Sequence, residues 1–139
     1  LPKMYKVIVV SHGDLGKSML KSAQMICGIV SPDEVSAFSL KEGDSPDTLY
    51  EKLDVLLAKW QGEDVLLFSD LRSGTPFNTA VRLMQRYPFQ HISGVNLALL
   101  IESLMNRESM AAKECSEELM AMCEDTFLYV NPIVEEPLD

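Results

Sequence analysis

The stretch Val7-Ile8-Val9-Val10-Ser11-His12-Gly13 decides the fold of this chain. Its run of branched apolar residues is typical of a short β-strand, and the polar, glycine-containing turn that follows ends the strand near a histidine. Apolar residues then recur at helical spacing over residues 15–27, which predicts a helix directly after the turn. We therefore expect His12 at the carboxyl end of a strand, the edge of an open α/β sheet at which ligands and chemistry collect.

A second stretch has the same organisation. The apolar residues 65–68 lead into Ser69-Asp70, and Leu71-Arg72-Ser73-Gly74-Thr75-Pro76-Phe77-Asn78 follows, with a Thr-Pro pair that is typical of a helix start. The chain thus offers an imidazole and a carboxylate on two equivalent strand-to-helix turns. If the two strands are neighbours, Asp70 can hold one ring nitrogen of His12 and leave the other free as a nucleophile.

The glycines and the second helix start form a candidate anion site. Gly13, Gly16 and Gly74 allow backbone to approach closely, and the free amides of a helix that begins near Thr75 can bind an anion, with the Thr75 hydroxyl as a further donor. A nucleophilic imidazole beside an anion site suits a phosphoryl group that is carried on histidine.

The remaining patterns predict alternating strands and helices. Strands are expected at residues 35–40, 64–69, 90–93 and 126–130, and helices at residues 46–60, 75–86 and 97–105, with another over residues 111–122. Crossovers between such strands are right-handed and give a mainly parallel sheet sandwiched by helices, here one domain over residues 4–131. We expect residues 132–139 to be an extended acidic tail and residues 1–3, before Met4, to be an artificial addition.

Composition excludes several classes of function. The net charge of -9 argues against a nucleic-acid binder and favours a basic protein partner. The three cysteines form no CxxC pair and no metal-ligand spacing with the two histidines, so we expect no metal and no cofactor. We find no signal-peptide pattern and no apolar run of the roughly 20 residues that a membrane span needs. These features favour a cytoplasmic protein.

At these residues the sequence resembles the IIA domains of the mannose-type phosphoenolpyruvate-dependent sugar phosphotransferase system, which serves mannose, fructose, sorbose and N-acetylgalactosamine. The matching pieces are the stretch 7–13, the stretch 70–78, and Gly94-Val95-Asn96-Leu97 with the apolar residues 100–104 beyond it. Their order and spacing cover nearly the whole chain.

The resemblance implies a phosphotransferase. His12 would accept a phosphoryl group from the histidine phosphocarrier protein and pass it to a IIB partner, which phosphorylates sugar during transport through membrane IIC and IID components. Asp70 would orient the ring. The residues implied to bind the phosphoryl group are Gly13, Ser73, Gly74 and Thr75. The family usually has two glycines before its Thr/Ser-Pro pair, and Ser73 replaces the first of them.

The resemblance also implies a homodimer. The family fold adds one antiparallel strand to its parallel sheet, and two subunits often exchange that strand. Residues 126–130 match the exchanged strand in their position along the chain.

Three alternatives keep a histidine at this place. A IIA-like regulatory module would have the same fold, with its phosphorylation state read by another protein. A tetrapyrrole metal chelatase would place further acidic or histidine ligands opposite His12, and His91, which we expect at the surface or at a strand edge, is the other imidazole of the chain. A histidine phosphatase would have an arginine directly before the histidine to bind phosphate with two hydrogen bonds, whereas Ser11 stands there.

Overall fold

The computed structural model describes residues 3–135 as a four-stranded sheet covered by helices. The strands are β1 (Lys6–His12), β2 (Val35–Leu40), β3 (Val65–Ser69) and β4 (Gln90–Ser93). The helices are α1 (Leu15–Cys27), α2 (Pro46–Lys59), α3 (Thr75–Leu83), α4 (Leu97–Met105), α5 (Ala112–Met122) and α6 (Asn131–Val134), with 3-10 turns at Asn106–Glu108 and Cys123–Thr126. The strand order is β2-β1-β3-β4 and every pair is parallel, which confirms the predicted α/β class.

The central strand β1 is covered on both faces. Val7 and Val9 pack into a core with α1, α4 and α5, whereas Ile8 and Val10 pack into a second core with α2 and α3. All four side chains are inaccessible to solvent. A central parallel strand is buried on both faces in this way, which explains its unbroken apolar run.

Local sequence chemistry sets several helix starts. Ser45 precedes α2 and its side chain accepts a hydrogen bond from the Thr48 amide, while Pro46 occupies the first turn. At α4 the Asn96 side chain accepts from the Leu99 amide at 2.9 Å. These caps place both helix starts at the carboxyl edge of the sheet, where β1 and β3 also end.

One strand end agrees with the sequence expectation, and one helix end differs from it. β1 ends at His12, as expected, because its last residues pair with Ser39 and Leu40 of β2. The helix α3 ends at Leu83 rather than near Arg86, because the Gln85 and Arg86 amides donate to carbonyl oxygens three residues earlier and not four.

Residues 126–130 do not form the strand that was expected of them. A 3-10 turn at Cys123–Thr126 follows α5 directly. Phe127 then has an extended backbone, but no strand of the described residues lies next to it. Phe127, Leu128 and Tyr129 are each more than two-thirds exposed. A β-strand needs a ladder partner, and within the described part of the chain none reaches this segment.

The start of the acidic tail also differs from the extended form that was expected. Asn131–Val134 is a short helix with a proline in its first turn. Residues 136–139, and Leu1 and Pro2 among the residues expected to be an addition, lie outside the described residues. Within residues 3–135, no helix is both long and apolar enough to cross a bilayer.

Candidate functional site

The structure brings His12 and Asp70 together at the carboxyl edge of the sheet. β1 and β3 are adjacent and parallel, so the residues at their ends meet. The Nδ1 atom of His12 lies 2.8 Å from the Asp70 Oδ2 atom. The backbone amide of His12 donates to the same oxygen, also at 2.8 Å. One carboxylate oxygen therefore fixes both the backbone and the ring of the histidine.

The two side chains differ sharply in exposure. The His12 side chain is 47% exposed, whereas that of Asp70 is 5% exposed. An ionised carboxylate can only accept hydrogen bonds, so Nδ1 carries the proton and the Nε2 lone pair is free. The arrangement thus presents the nucleophilic Nε2 to solvent, while the buried Asp70 carboxylate holds the ring in one tautomer.

The electrostatics of Asp70 support its ionised form. Burial of the carboxyl opposes ionisation, but hydrogen bonds from the His12 amide, the His12 ring and the Leu71 amide together outweigh it. They hold the pKa of Asp70 below its ordinary value. The carboxylate is thus charged at neutral pH and can stabilise positive charge that develops on the ring.

Gly74 lies against the imidazole. A Cβ atom at this position would be 2.9 Å from Cε1 of His12 and 3.5 Å from Nε2. Real Cβ atoms essentially never approach at the shorter of these distances. The glycine therefore lets the loop before α3 lie beside the nucleophilic side of the ring without displacing it.

The start of α3 supplies the donors expected of an anion site. Pro76 has no amide hydrogen, and the Asn78 amide donates to the Gly74 carbonyl oxygen at 2.8 Å. The amides of Thr75 and Phe77 remain as donors without an intrahelical acceptor. Thr75 itself is half-buried, with its hydroxyl on the same first turn.

Gly13 and Ser73, the other two residues expected to bind the phosphoryl group, both have positive φ and lie in the turns that follow β1 and β3. The Gly13 amide donates to the Leu40 carbonyl oxygen at 2.8 Å, so this donor is already engaged. Gly13 has a φ of 54°, which a glycine adopts without strain. Ser73 has a φ of 69° and is the single non-glycine residue with positive φ in the described structure. Its side chain is exposed, so its hydroxyl can turn toward a ligand.

Ser11 supports the turn that follows β1. From the sequence, Ser11 was notable only because a histidine phosphatase would have an arginine at this position. Its hydroxyl is fully buried, accepts from the Gly16 amide at 2.8 Å and lies 3.3 Å from the Gly13 carbonyl oxygen. A Cβ at Gly16 would be 2.9 Å from Val9 Cγ1, so the turn packs tightly on β1. The signal available in the sequence was a small polar residue within an otherwise apolar strand end.

His91 is not brought to the site. It lies on the edge strand β4 and is half-buried, its Nε2 atom 2.8 Å from the Ser69 hydroxyl and its ring 5.3 Å from that of Phe77. Burial lowers the pKa of His91. Among residues 3–135, no three His, Cys, Asp or Glu side chains are grouped so that they could hold a metal ion. The described residues therefore do not provide the further acidic or histidine ligands that the chelatase alternative would place opposite His12.

Comparison with known proteins agrees with the resemblance seen in the sequence. A family model described as PTS system fructose IIA component matches residues 6–120. The fructose-specific EIIA component of Bacillus subtilis (strain 168) is 32% identical over 135 residues, which cover 96% of this chain and 91% of that protein.

Two further relatives extend the comparison. The mannose-specific EIIAB component of Escherichia coli (strain K12) is 31% identical over 122 residues, or 86% of this chain, so the chain spans only 36% of the length of that relative. The solved structure of a mannose/sorbose-specific IIA subunit of the phosphotransferase system from Enterococcus faecalis is similar, with a TM-score of 0.83 and 26% identity. It covers 98% of both chains.

Proposed function

Because the chain belongs to the mannose-type IIA family of the sugar phosphotransferase system, we propose that it relays a phosphoryl group during sugar uptake. His12 accepts the group from the histidine phosphocarrier protein and passes it to a IIB partner, which in turn serves membrane IIC and IID components. The domain that performs this step comprises residues 4–131, and we place it in the cytoplasm. The acidic surface, with a net charge of -9, suits a basic carrier.

One observation carries the proposal. The His12 ring is half exposed, and its Nδ1 atom is fixed at 2.8 Å from a buried carboxylate oxygen. This arrangement selects Nε2 as the acceptor and orients it toward an incoming group. No proton has to leave Nε2 before it attacks, because the proton of the neutral ring is already on Nδ1.

The chemical step balances without a cofactor. The Nε2 lone pair of His12 forms a bond to phosphorus as the bond between phosphorus and the carrier's histidine nitrogen breaks, and the electron pair of that bond returns to the carrier. His12 then carries positive charge on its ring, which the Asp70 carboxylate stabilises. Catalysis is positioning and charge stabilisation, as in other phosphoryl transfers.

The loop before α3 holds the transferred group. The Thr75 hydroxyl, the Thr75 and Phe77 amides and the exposed Ser73 hydroxyl are the donors that we assign to the phosphoryl oxygens. Gly74 keeps space beside the ring, and Gly13 shapes the turn that follows His12. Anion binding at a helix start is favoured both by free amides and by the helix dipole.

The test is intact mass after incubation with phosphoenolpyruvate, enzyme I and the phosphocarrier protein. We expect a gain of one phosphoryl group that is labile in acid, and loss of that group when a IIB domain is added. The variant His12→Gln should gain nothing, while the control His91→Gln should gain the same mass as the unmodified chain. An unchanged gain in His12→Gln would refute the assignment. A gain that is never passed to IIB would favour the regulatory alternative.

We also propose that two copies exchange residues 126–130 as an added strand of the sheet. The support lies in β4, whose outer edge is unpaired in the described chain, and in a cleft of about 540 Å³ between β4 and α5. The exposed side chains of Phe127, Leu128 and Tyr129 provide apolar surface for such an interface.

Light scattering during size exclusion tests the exchange. The unmodified chain should have a mass of about twice 15.5 kDa. The double substitution Phe127→Asp and Tyr129→Asp should give the monomer mass, because two charges would be buried in the interface. Ile29→Asp is the matched control, since Ile29 is 92% exposed elsewhere on the molecule. A monomeric unmodified chain at micromolar concentration would contradict the proposal.

A further inference from the structure

Basic residues are scarce at the edge of the sheet that carries His12. The loops that follow β1, β3 and β4 contain one basic residue, Arg72, and the loop that follows β2 contains Lys41. The same loops contain the acidic residues Asp14, Glu42, Asp44 and Asp70. A phosphoryl dianion on His12 would thus add negative charge to an edge that is already acidic.

The imidazole faces the loop of Arg72. Nδ1 bonds to Asp70, at the start of this loop, and Gly74 lies beside Cε1 and Nε2. Arg72 is two residues from Gly74, which limits their Cα separation to about 7 Å and lies within the length of an arginine side chain. Lys41 instead follows Leu40, whose carbonyl oxygen is bonded to the Gly13 amide on the other side of β1.

Arg72 is also free to move to a ligand. It is exposed, and no carboxylate lies within ion-pairing distance of it in the described part of the chain. The neighbouring Ser73, with its φ of 69°, turns the backbone sharply between Arg72 and Gly74. An unpaired guanidinium on a loop beside a nucleophile matches the geometry in which arginine binds phosphoryl oxygens with two hydrogen bonds.

We propose that Arg72 binds the phosphoryl group on His12 during transfer, an inference that rests on the proposed function. The guanidinium donates to the equatorial oxygens of the group as the donor's nitrogen–phosphorus bond breaks and the bond to Nε2 forms. Arg72 neither gains nor loses a proton. It compensates the charge that these oxygens carry in the transition state and in phosphorylated His12.

The test compares the rate of transfer from the carrier in Arg72→Gln and in the control Lys41→Gln, which removes the same charge from the same edge. We expect Arg72→Gln to lower kcat by about 10- to 100-fold with KM within about twofold of the unmodified chain. That loss is smaller than the roughly 10³–10⁵ of an enclosed arginine finger, because solvent and salt screen an exposed guanidinium. Arg72→Lys should restore part of the rate, and Lys41→Gln should stay within about twofold.

A second measurement does not depend on the carrier. His12 is phosphorylated chemically with phosphoramidate, and the ionisation of the phosphoryl group is followed by phosphorus NMR. A nearby cation favours the dianion, so the pKa of the phosphoryl group should rise in Arg72→Gln and not in Lys41→Gln.

Three results would overturn the proposal: an unchanged kcat and phosphoryl pKa in Arg72→Gln, equal effects in Lys41→Gln, or a change in KM alone. The last of these would mean that Arg72 docks the carrier rather than the phosphoryl group. If the carrier never phosphorylates the unmodified chain, the proposed function fails, whereas the NMR titration still decides whether Arg72 contacts the phosphoryl group.

Discussion

The substitution Gly74→Ala tests whether the loop before α3 sets the position of the acceptor ring. The new methyl group would lie 2.9 Å from Cε1 of His12. Carbon atoms pack at about 3.5 Å, so the ring has to move by about 0.6 Å. His12 is half exposed and can rotate, but rotation weakens the 2.8 Å hydrogen bond between Nδ1 and Asp70.

The expected loss follows from that hydrogen bond. Hydrogen bonds to charged groups contribute about 1.5–3 kcal/mol, and the exposure of the ring reduces the cost to about 1–2 kcal/mol. This corresponds to a roughly 5- to 30-fold slower transfer. Stability should change little, because the ring moves toward solvent and not into a core.

Quenched-flow mass spectrometry of His12 phosphorylation is the assay, with thermal unfolding measured in parallel. Leu71→Ala is the matched control in the same loop, since the Leu71 side chain is 61% exposed and its truncation adds no atom beside the ring. Transfer by Gly74→Ala at the unmodified rate, with an unchanged melting temperature, would refute the proposed contact between loop and ring.

Three further predictions concern the same edge of the sheet. Asp70→Asn keeps the size of the side chain but removes its charge. Transfer measured by quenched flow should therefore slow by about 10- to 100-fold, while His12 still becomes phosphorylated. An unchanged rate would show that Asp70 has no part in the mechanism. The pKa of Asp70 is lowered in the folded protein, so its contribution to stability is present above the ordinary pKa of about 3.9 and is lost as the pH falls through the folded value. In urea, the free energy of unfolding should be higher for the unmodified chain than for Asp70→Asn at pH 7, and this difference should narrow near pH 3. A difference that stays constant with pH would count against an ionised Asp70 in the folded protein. Ser73→Gly should raise the free energy of unfolding by about 0.5–1 kcal/mol, because relief of the left-handed backbone exceeds the entropy that glycine adds to the unfolded chain. A lower free energy of unfolding would show that the Ser73 side chain makes a stabilising contact.

The parallel sheet and the meeting of His12 with Asp70 could be predicted from the sequence because both depend on short-range patterns. Two apolar strands, each ending in a polar turn before a helix, place their ends at one edge whenever they are neighbours. Crossover geometry makes the strands parallel. The resemblance to a family then implied that Asp70 orients the His12 ring, which requires their two strands to be neighbours. Periodicity alone leaves that adjacency open.

Other features depend on contacts that sequence patterns do not encode. The strand expected at residues 126–130 has suitable β-forming side chains, but strand formation requires a partner and none is present in the described single chain. The left-handed backbone at Ser73 has no local signal in the sequence, since serine itself disfavours it. The engagement of the Gly13 amide by Leu40 follows from the register between β1 and β2.

The central position of β1 bears on how the chain folds during synthesis. β1 leaves the ribosome well before β3, with which it pairs on one side, and the contact between His12 and Asp70 spans 58 residues. Long-range parallel pairing is slow, because the intervening chain must lose entropy before the contacts form. A nascent chain that ends before β3 therefore contains the acceptor histidine without the carboxylate that selects its tautomer. A product that ends before β3 would therefore lack both the carboxylate that orients the ring and the loop before α3, and rapid phosphorylation has to wait until β3 joins the sheet.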